Sequence, residues 1–261
     1  MFAKLLKHEF NAVRKSFFPL CIAALLSAVV GYFLMLIATS QIEIKTNAVL
    51  ESLARILQGS IYLFLFIFVI GCTIYLYYRF YKTKFTDEGY LTFTLPASTH
   101  QILLSSILNM IIWFAIIIAV FFVCLFLLTA PIIASIEDLF YYIQAPTESS
   151  RLTPVEKLVT TLHAVCSLSY GLILPLFSIT LGSLLAKKHK LLAAFGIGYL
   201  INMGISFISS IFMIYEISSD TWIYGEYYFS ISTIITSLLC LALAVAGYFI
   251  MHHIVKHKLN I

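Results

Sequence analysis

The sequence predicts an all-α integral membrane protein with six transmembrane helices, and three observations carry this prediction. Hydrophobic residues make up 61% of the 261-residue chain and charged residues only 11%. Six apolar runs are long enough to cross a bilayer, and segments rich in Lys and Arg alternate with segments poor in them. Soluble domains are ~45–50% apolar and ~25% charged. The composition therefore excludes a soluble globular enzyme, a disordered chain and a nucleic-acid-binding domain.

The six apolar runs define the predicted spans, since a helix needs ~20 mostly apolar residues to cross a bilayer. None of the runs contains Asp, Glu, Lys or Arg. The connecting segments are too short for a large soluble domain, so residues 1–261 are predicted to form a single transmembrane domain. The runs cover about 17–39, 57–78, 101–129, 159–185, 191–214 and 229–251.

The distribution of charge predicts that both termini are cytoplasmic. Twelve of the 16 Lys and Arg residues lie in the termini and in the two loops that share their side of the membrane. Nine of the 12 acidic residues lie in the other segments. Because cytoplasmic segments are enriched in Lys and Arg, the basic side is assigned to the cytoplasm.

The first 16 residues are too polar to span and predict an amphipathic interfacial helix with a basic face toward lipid phosphates. A simple charged start that orients the first span explains the same residues. Glu9 falls on the apolar face, where an unpaired acid is costly. We expect Glu9 to pair with Arg79 at the inner end of the second span, or to reach the headgroup layer alone. The apolar face holds Phe2, Leu5, Leu6, Phe10 and Val13, and the other face holds Lys4, Lys7, His8, Asn11, Arg14 and Lys15.

The loop between the second and third spans, residues 79–106, contains a short amphipathic element. Two acids precede a glycine, and apolar residues follow until a proline ends the segment. Ser98, with Gln101 three residues later, forms a capping box that begins the third span. An apolar strip exposed at the inner membrane face requires a partner, which is lipid, another helix or a cytoplasmic protein.

This loop resembles the first cytoplasmic loop of type-2 ABC (ATP-binding-cassette) transporter permeases, and the stretch FTDEGYLTFTLP is similar to permeases of Gram-positive anaerobes. In that family an acidic residue and a glycine open a short coupling helix, and a Leu-rich stretch, a proline and a Ser or Thr lead into the third span. Six spans and an N-terminal connecting helix fit the same family. Many members of that family carry a re-entrant region between the fifth and sixth spans. Here that segment, 215–228, is short and polar, and the larger outer segment is 130–158, between the third and fourth spans. The matching residues are Asp87, Glu88, Gly89, Leu91, Leu95, Pro96 and Ser98.

The resemblance implies a permease subunit of the bacterial cell membrane that is driven by separate ABC ATPase subunits. The chain itself would hold no cofactor, and ATP and Mg would bind to the partner ATPase. A second copy of the chain or a sister permease would complete the transporter, which would export an antimicrobial peptide, toxin, drug or lipid-like substrate. A helix N-terminus that favours negative charge also explains the two acids. The implied ATPase-coupling residues, within the 86–98 loop, are Thr86, Asp87, Glu88, Gly89, Tyr90, Leu91, Phe93, Leu95 and Pro96.

The fifth span carries small or polar residues at every fourth position, on one face of the helix. Such a seam indicates close helix packing with interhelical hydrogen bonds, and a polar stripe along a substrate path is the alternative. In the fourth span, Thr153-Pro154-Val155-Glu156 combines a capping box with a proline at the first helical position, and Pro175 predicts a kink. The seam consists of Ala194, Gly198, Asn202, Ser206 and Ser210.

Several chemistries lack their residues. The sequence contains no G-x-x-x-x-G-K-[ST] motif and no metal-ligand spacing, so neither a nucleotide site nor a metal site is predicted. No carboxylate lies within the spans, which argues against an enzyme and against a proton-driven transporter. The second hypothesis is a membrane binding or sensor subunit that is not coupled to ATP. A neighbouring gene for an ABC ATPase would favour the permease hypothesis over it.

Overall fold

The structure is a computed structural model, and it describes residues 2–40, 48–86, 88–89, 92, 94, 97–130, 154–186, 188–218 and 231–257. All of the long elements in this part of the chain are α-helices. Each of the six contains a stretch long and apolar enough to cross a membrane, which confirms the prediction of an all-helical chain with six candidate spans. The helices are α1 (Phe2–Ser40), α2 (Ala48–Phe85), α3 (Thr99–Thr129), α4 (Pro154–Leu185), α5 (Lys190–Ser218) and α6 (Ile231–His257).

The helices extend beyond the predicted spans, mainly on the basic side. Helix α1 continues from Phe2 through the first apolar run as one helix of 39 residues. Its first residues divide as the helical wheel predicts: the basic side chains are exposed, whereas Phe2, Leu5, Leu6 and Phe10 are half-buried and Val13 is buried. The location of this part of α1 at the membrane surface stays a prediction.

The chain forms two compact units, and the first comprises Met1–Tyr78 and Leu104–Ser150. Its core lies where α1 meets the apolar parts of α2 and α3. The buried Phe17 ring packs 5.3 Å from the Tyr75 ring and 5.1 Å from the Trp113 ring, measured between centroids. Gly31 permits close approach farther along α1, because a Cβ there would collide with the side chains of Ile61 and Leu128.

The second unit comprises Arg79–Leu103 and Arg151–Ile261. Helix α4 packs against both α5 and α6, which also contact each other. At the centre of this packing, Tyr170, Ile205 and Cys240 form a buried cluster with one residue from each helix. Gly182 brings the end of α4 against the start of α5, because a Cβ there would lie 2.6 Å from the Ala194 nitrogen and 2.7 Å from the Lys190 oxygen.

Two helix starts follow the capping signals in the sequence. The Gln101 amide donates to Ser98 Oγ at 3.3 Å, and the Ser98 amide donates to Gln101 Oε1 at 3.4 Å. This reciprocal pair is the predicted capping box, and α3 begins at the next residue. Helix α4 begins at Pro154, as predicted, with Pro175 inside it, while Thr153 lies outside the described residues. The outer segments at 131–153 and 219–230 also lie outside them.

Candidate functional site

The loop between α2 and α3 is the candidate coupling site, and the structure describes part of it. Thr86, Glu88 and Gly89 of the predicted coupling residues are described, and Glu88, Gly89 and Thr92 have helical backbone. The other predicted coupling residues lie outside the described residues: Asp87, Tyr90, Leu91, Phe93, Leu95 and Pro96. The coupling role of this loop stays a prediction.

Gly89 lies directly against the backbone at the end of α2. Its amide donates to the Thr86 carbonyl oxygen at 2.8 Å. A Cβ at this position would lie 2.6 Å from the Lys84 carbonyl oxygen and 2.9 Å from the Lys84 carbonyl carbon. Both atoms belong to the backbone of a helix, so they cannot rotate away as a side chain would. A glycine is therefore required for the loop to fold back this closely.

Two further contacts fasten the loop to the end of α2. Thr92 Oγ1 lies 3.1 Å from both the Thr83 and the Glu88 carbonyl oxygens, to which its hydroxyl can donate. Lys82 Nζ forms an ion pair of 2.9 Å with Glu88 Oε1, and both side chains are about half exposed, at 51% and 50%. The ion pair is too exposed to contribute much stability, since such pairs are worth ~0–1 kcal/mol. It does fix the direction of the Glu88 carboxylate along α2.

Lys84 distinguishes the two lysines at the end of α2. It is only 1% exposed, and its backbone lies beneath Gly89. One basic residue at the end of α2 is thus buried, whereas Lys82 lies at the surface. Sequence reasoning assigned Glu88 to a partner protein and missed Lys82, because a spacing of six residues does not place two side chains on one helix face.

Glu9 has a partner that the sequence did not suggest. Ser106 Oγ donates to Glu9 Oε1 at 2.8 Å, so the carboxylate on the apolar face of α1 is hydrogen-bonded to α3. A hydrogen bond to the charged form lowers the cost of placing a carboxylate at this depth. The ion pair with Arg79 stays a prediction.

The face of α3 that holds Ser106 is polar for about two turns. Ser105, Ser106 and Asn109 are all buried there, and Asn109 is only 5% exposed. Among the described residues, Asn109 Oδ1 and Trp113 Nε1 are buried without a hydrogen-bond partner. The spacing of these residues at three and four positions would have indicated one helix face, but the apolar run around them hid it.

Among the described residues, the predicted seam on α5 is packed at one end and exposed at the other. Ala194 is buried, and a Cβ on Gly198 would lie 3.0 Å from Ser178 Oγ of α4. Asn202, Ser206 and Ser210 are exposed, and Ser210 satisfies its hydroxyl by donating to the Ser206 carbonyl at 2.8 Å. The contact of α5 with α6 instead uses Ser209, whose Oγ lies 2.6 Å from Thr236 Oγ1.

His163, the one histidine within a predicted span, is held by serines. Its Nδ1 lies 2.8 Å from Ser237 Oγ of α6, and its Nε2 lies 3.5 Å from Ser167 Oγ. These contacts make it a hydrogen-bonded histidine that joins α4 to α6. No group of three or more His, Cys, Asp or Glu side chains in the described part of the chain is placed to hold a metal ion.

The six candidate membrane-spanning helices place the chain in the class of multi-pass membrane proteins. No family model, curated protein or solved structure matches the chain.

Proposed function

We propose that the chain is the membrane-spanning permease subunit of an ATP-driven ABC transporter. A separate ATPase subunit docks on the loop at 86–98, and ATP and Mg bind to that ATPase. The transporter exports an amphipathic substrate, such as an antimicrobial peptide, a toxin, a drug or a lipid. The termini and the loop face the cytoplasm of a bacterial cell.

The observation that carries this proposal is the attachment of the loop to the helix before it. Gly89 lies against the Lys84 backbone, Thr92 contacts Thr83, and Glu88 pairs with Lys82. At the other end, Ser98 caps α3. A force applied to a loop attached in this way reaches both helices, whereas a slack loop would absorb it. This is the property that a coupling element needs.

The apolar interior of the spans supports the same proposal. The predicted spans contain no Asp, Glu, Lys or Arg. Ion-driven transporters use such residues at membrane depth to bind and release their coupling ions. A transporter without them needs energy from outside the membrane, which an ATPase at the cytoplasmic face supplies.

The exposed face of α5 supports a second permease subunit. Asn202, Ser206 and Ser210 lie exposed on a helix that is otherwise covered with large apolar side chains. An amide facing lipid without a hydrogen-bond partner is costly. A second copy of the chain packed on this face would provide partners for these groups, and small residues allow such close packing.

The direct test of the proposal is purification of the tagged chain from its source cells in a mild detergent. We expect mass spectrometry to identify a partner with a G-x-x-x-x-G-K-[ST] motif, and the purified complex to hydrolyse ATP. A chain that purifies without any nucleotide-hydrolysing partner would favour the binding or sensor subunit instead.

The α5 face makes a separate prediction. Replacing Asn202 by Leu removes the amide but keeps the size of the side chain. We expect capture of an untagged copy by a tagged copy to fall roughly three- to 16-fold, because interhelical polar contacts in membranes contribute about 0.6–1.7 kcal/mol. Met203→Leu, on the adjacent exposed residue, is the matched control and should leave capture unchanged. Equal capture by the wild type and the Asn202→Leu variant would remove this face from the interface.

A further inference from the structure

A group of aromatic and imidazole rings joins the start of α3 to the end of α6, away from the loop contacts described above. The rings of His100 and His252 are stacked, with centroids 3.5 Å apart and planes inclined by 13°. His100 Nδ1 lies 3.1 Å from the Tyr248 hydroxyl oxygen. We name Tyr248, His100 and His252 the ring ladder.

The ladder occupies a position where it can hold two helices together. His100 is in the first turn of α3, two residues after the capping residue Ser98. Tyr248 and His252 lie one turn apart near the end of α6. The ladder therefore fastens the residue at which the loop becomes α3 to the end of the last helix.

Among the described residues, the groups that act electrostatically on His252 are all bases. These groups are His253, Lys256 and His257 of its own helix and His100 of α3. The rings of His253 and His257 lie 4.7 Å apart. This set contains no carboxylate, so nothing in it offsets a positive charge on the stacked pair.

Protonation changes the interaction between the two stacked rings. When both rings are neutral, they stack without net charge, and the Tyr248 hydroxyl can donate to an unprotonated His100 Nδ1. When both are protonated, two cations lie face to face at stacking distance, and the nearby bases increase the repulsion. His100 is exposed and His252 is partly exposed, so protons from the solvent reach both rings.

We propose that the ring ladder is a pH-sensitive clasp, closed when His100 and His252 are neutral and opened when both are protonated. Opening separates the start of α3 from the end of α6 and frees the end of the loop that Ser98 joins to α3. The clasp does not depend on the proposed transport function.

The test measures a distance between spin labels in the full chain, reconstituted in nanodiscs of neutral phosphatidylcholine. The labels are placed at Ala97 and Phe249, after the five native cysteines are replaced by serine. We expect the distance to lengthen by several ångströms as the pH falls from about 8 to about 5, the range in which imidazole side chains change charge. The measurement is made in a chelator, so that a trace metal bridging the rings cannot produce the change.

Two variants and one control make the test specific. His100→Gln and His252→Gln each leave a single imidazole in the ladder, so two cations can no longer face each other. In each variant the distance between the labels should therefore stay constant across this pH range. His163→Gln, which removes the histidine bound to Ser237, should respond to pH as the wild type does. The variants must reproduce the wild-type distance at high pH, which shows that they fold. A wild-type distance that is constant with pH, or a response that persists in both ladder variants, would overturn the clasp.

Discussion

Replacing Gly89 by Ala is expected to disrupt the proposed coupling of the loop to an ATPase subunit. The new Cβ would lie 2.6 Å from the Lys84 carbonyl oxygen, whereas an ordinary contact is at least 3.4 Å. The loop must therefore move by about 1 Å, and a displacement of that size can cost on the order of 100-fold in the rate of a precisely aligned process. We expect ATP hydrolysis stimulated by the permease to fall roughly ten- to 100-fold, measured on purified complexes in nanodiscs.

The control for this substitution is Gly71→Ala on α2, the helix to which the loop is attached. A Cβ on Gly71 would meet no atom within 4 Å, so this variant should retain the stimulated hydrolysis of the wild type. Both variants add one methyl group to α2 or to the loop attached to it, so a general effect of the methyl group would appear in both. Full stimulation by the Gly89→Ala complex would show that the close contact of the loop with α2 does not carry the coupling.

The second large effect is expected at Gly182, where α4 and α5 meet. A Cβ there would lie 2.6, 2.7 and 2.8 Å from three backbone atoms of Lys190 and Ala194. Backbone atoms cannot change rotamer, so the two helix ends must separate. We expect Gly182→Ala to lower the free energy of unfolding by about 1–3 kcal/mol, the usual cost of overpacking, measured by denaturant titration in mixed micelles.

Gly171→Ala provides the comparison within the same helix. A Cβ on Gly171 would meet no atom within 4 Å, and alanine is favoured over glycine inside a helix by roughly 0.5–1 kcal/mol. The control variant should therefore be as stable as the wild type or slightly more stable. If Gly182→Ala unfolded at the same denaturant concentration as Gly171→Ala, the close approach of α4 and α5 would be contradicted.

The sequence predicted the helices well because lipid imposes a simple rule on them. A spanning segment must satisfy its backbone internally and present apolar side chains, and both requirements are visible in composition and length. The helix starts at Ser98 and Pro154 were predictable for a different reason, since capping is decided by residues close together in the chain. The sequence predicted a helix in residues 1–16 but not that it joins the first span as one helix, and it did not predict that α6 continues to His257, because hydropathy identifies only the apolar part of a helix.

The candidate sites were less predictable because they depend on contacts between distant residues. The order of acid, glycine and proline pointed to the loop at 86–98, but the proximity of Gly89 to the Lys84 backbone follows only from the fold. For Glu9, the sequence identified a carboxylate that needs a partner. It suggested Arg79 by charge, yet Ser106, an uncharged residue far along the chain, supplies a hydrogen bond. The stacking of His100 on His252 likewise joins residues that no local pattern relates.

We propose that a nucleotide-hydrolysing protein docks on the loop between α2 and α3 on the cytoplasmic side. A photo-crosslinking amino acid at Thr94, an exposed position in this loop, tests it in living cells, with the same probe at the exposed Phe66 of α2 as the control. We expect Thr94 to yield an adduct with a chain that contains a nucleotide-binding G-x-x-x-x-G-K-[ST] motif, and Phe66 to yield none. An adduct of Thr94 with lipid alone, or with a protein on the outer surface of the cell, would rule out docking of an ATPase on this loop.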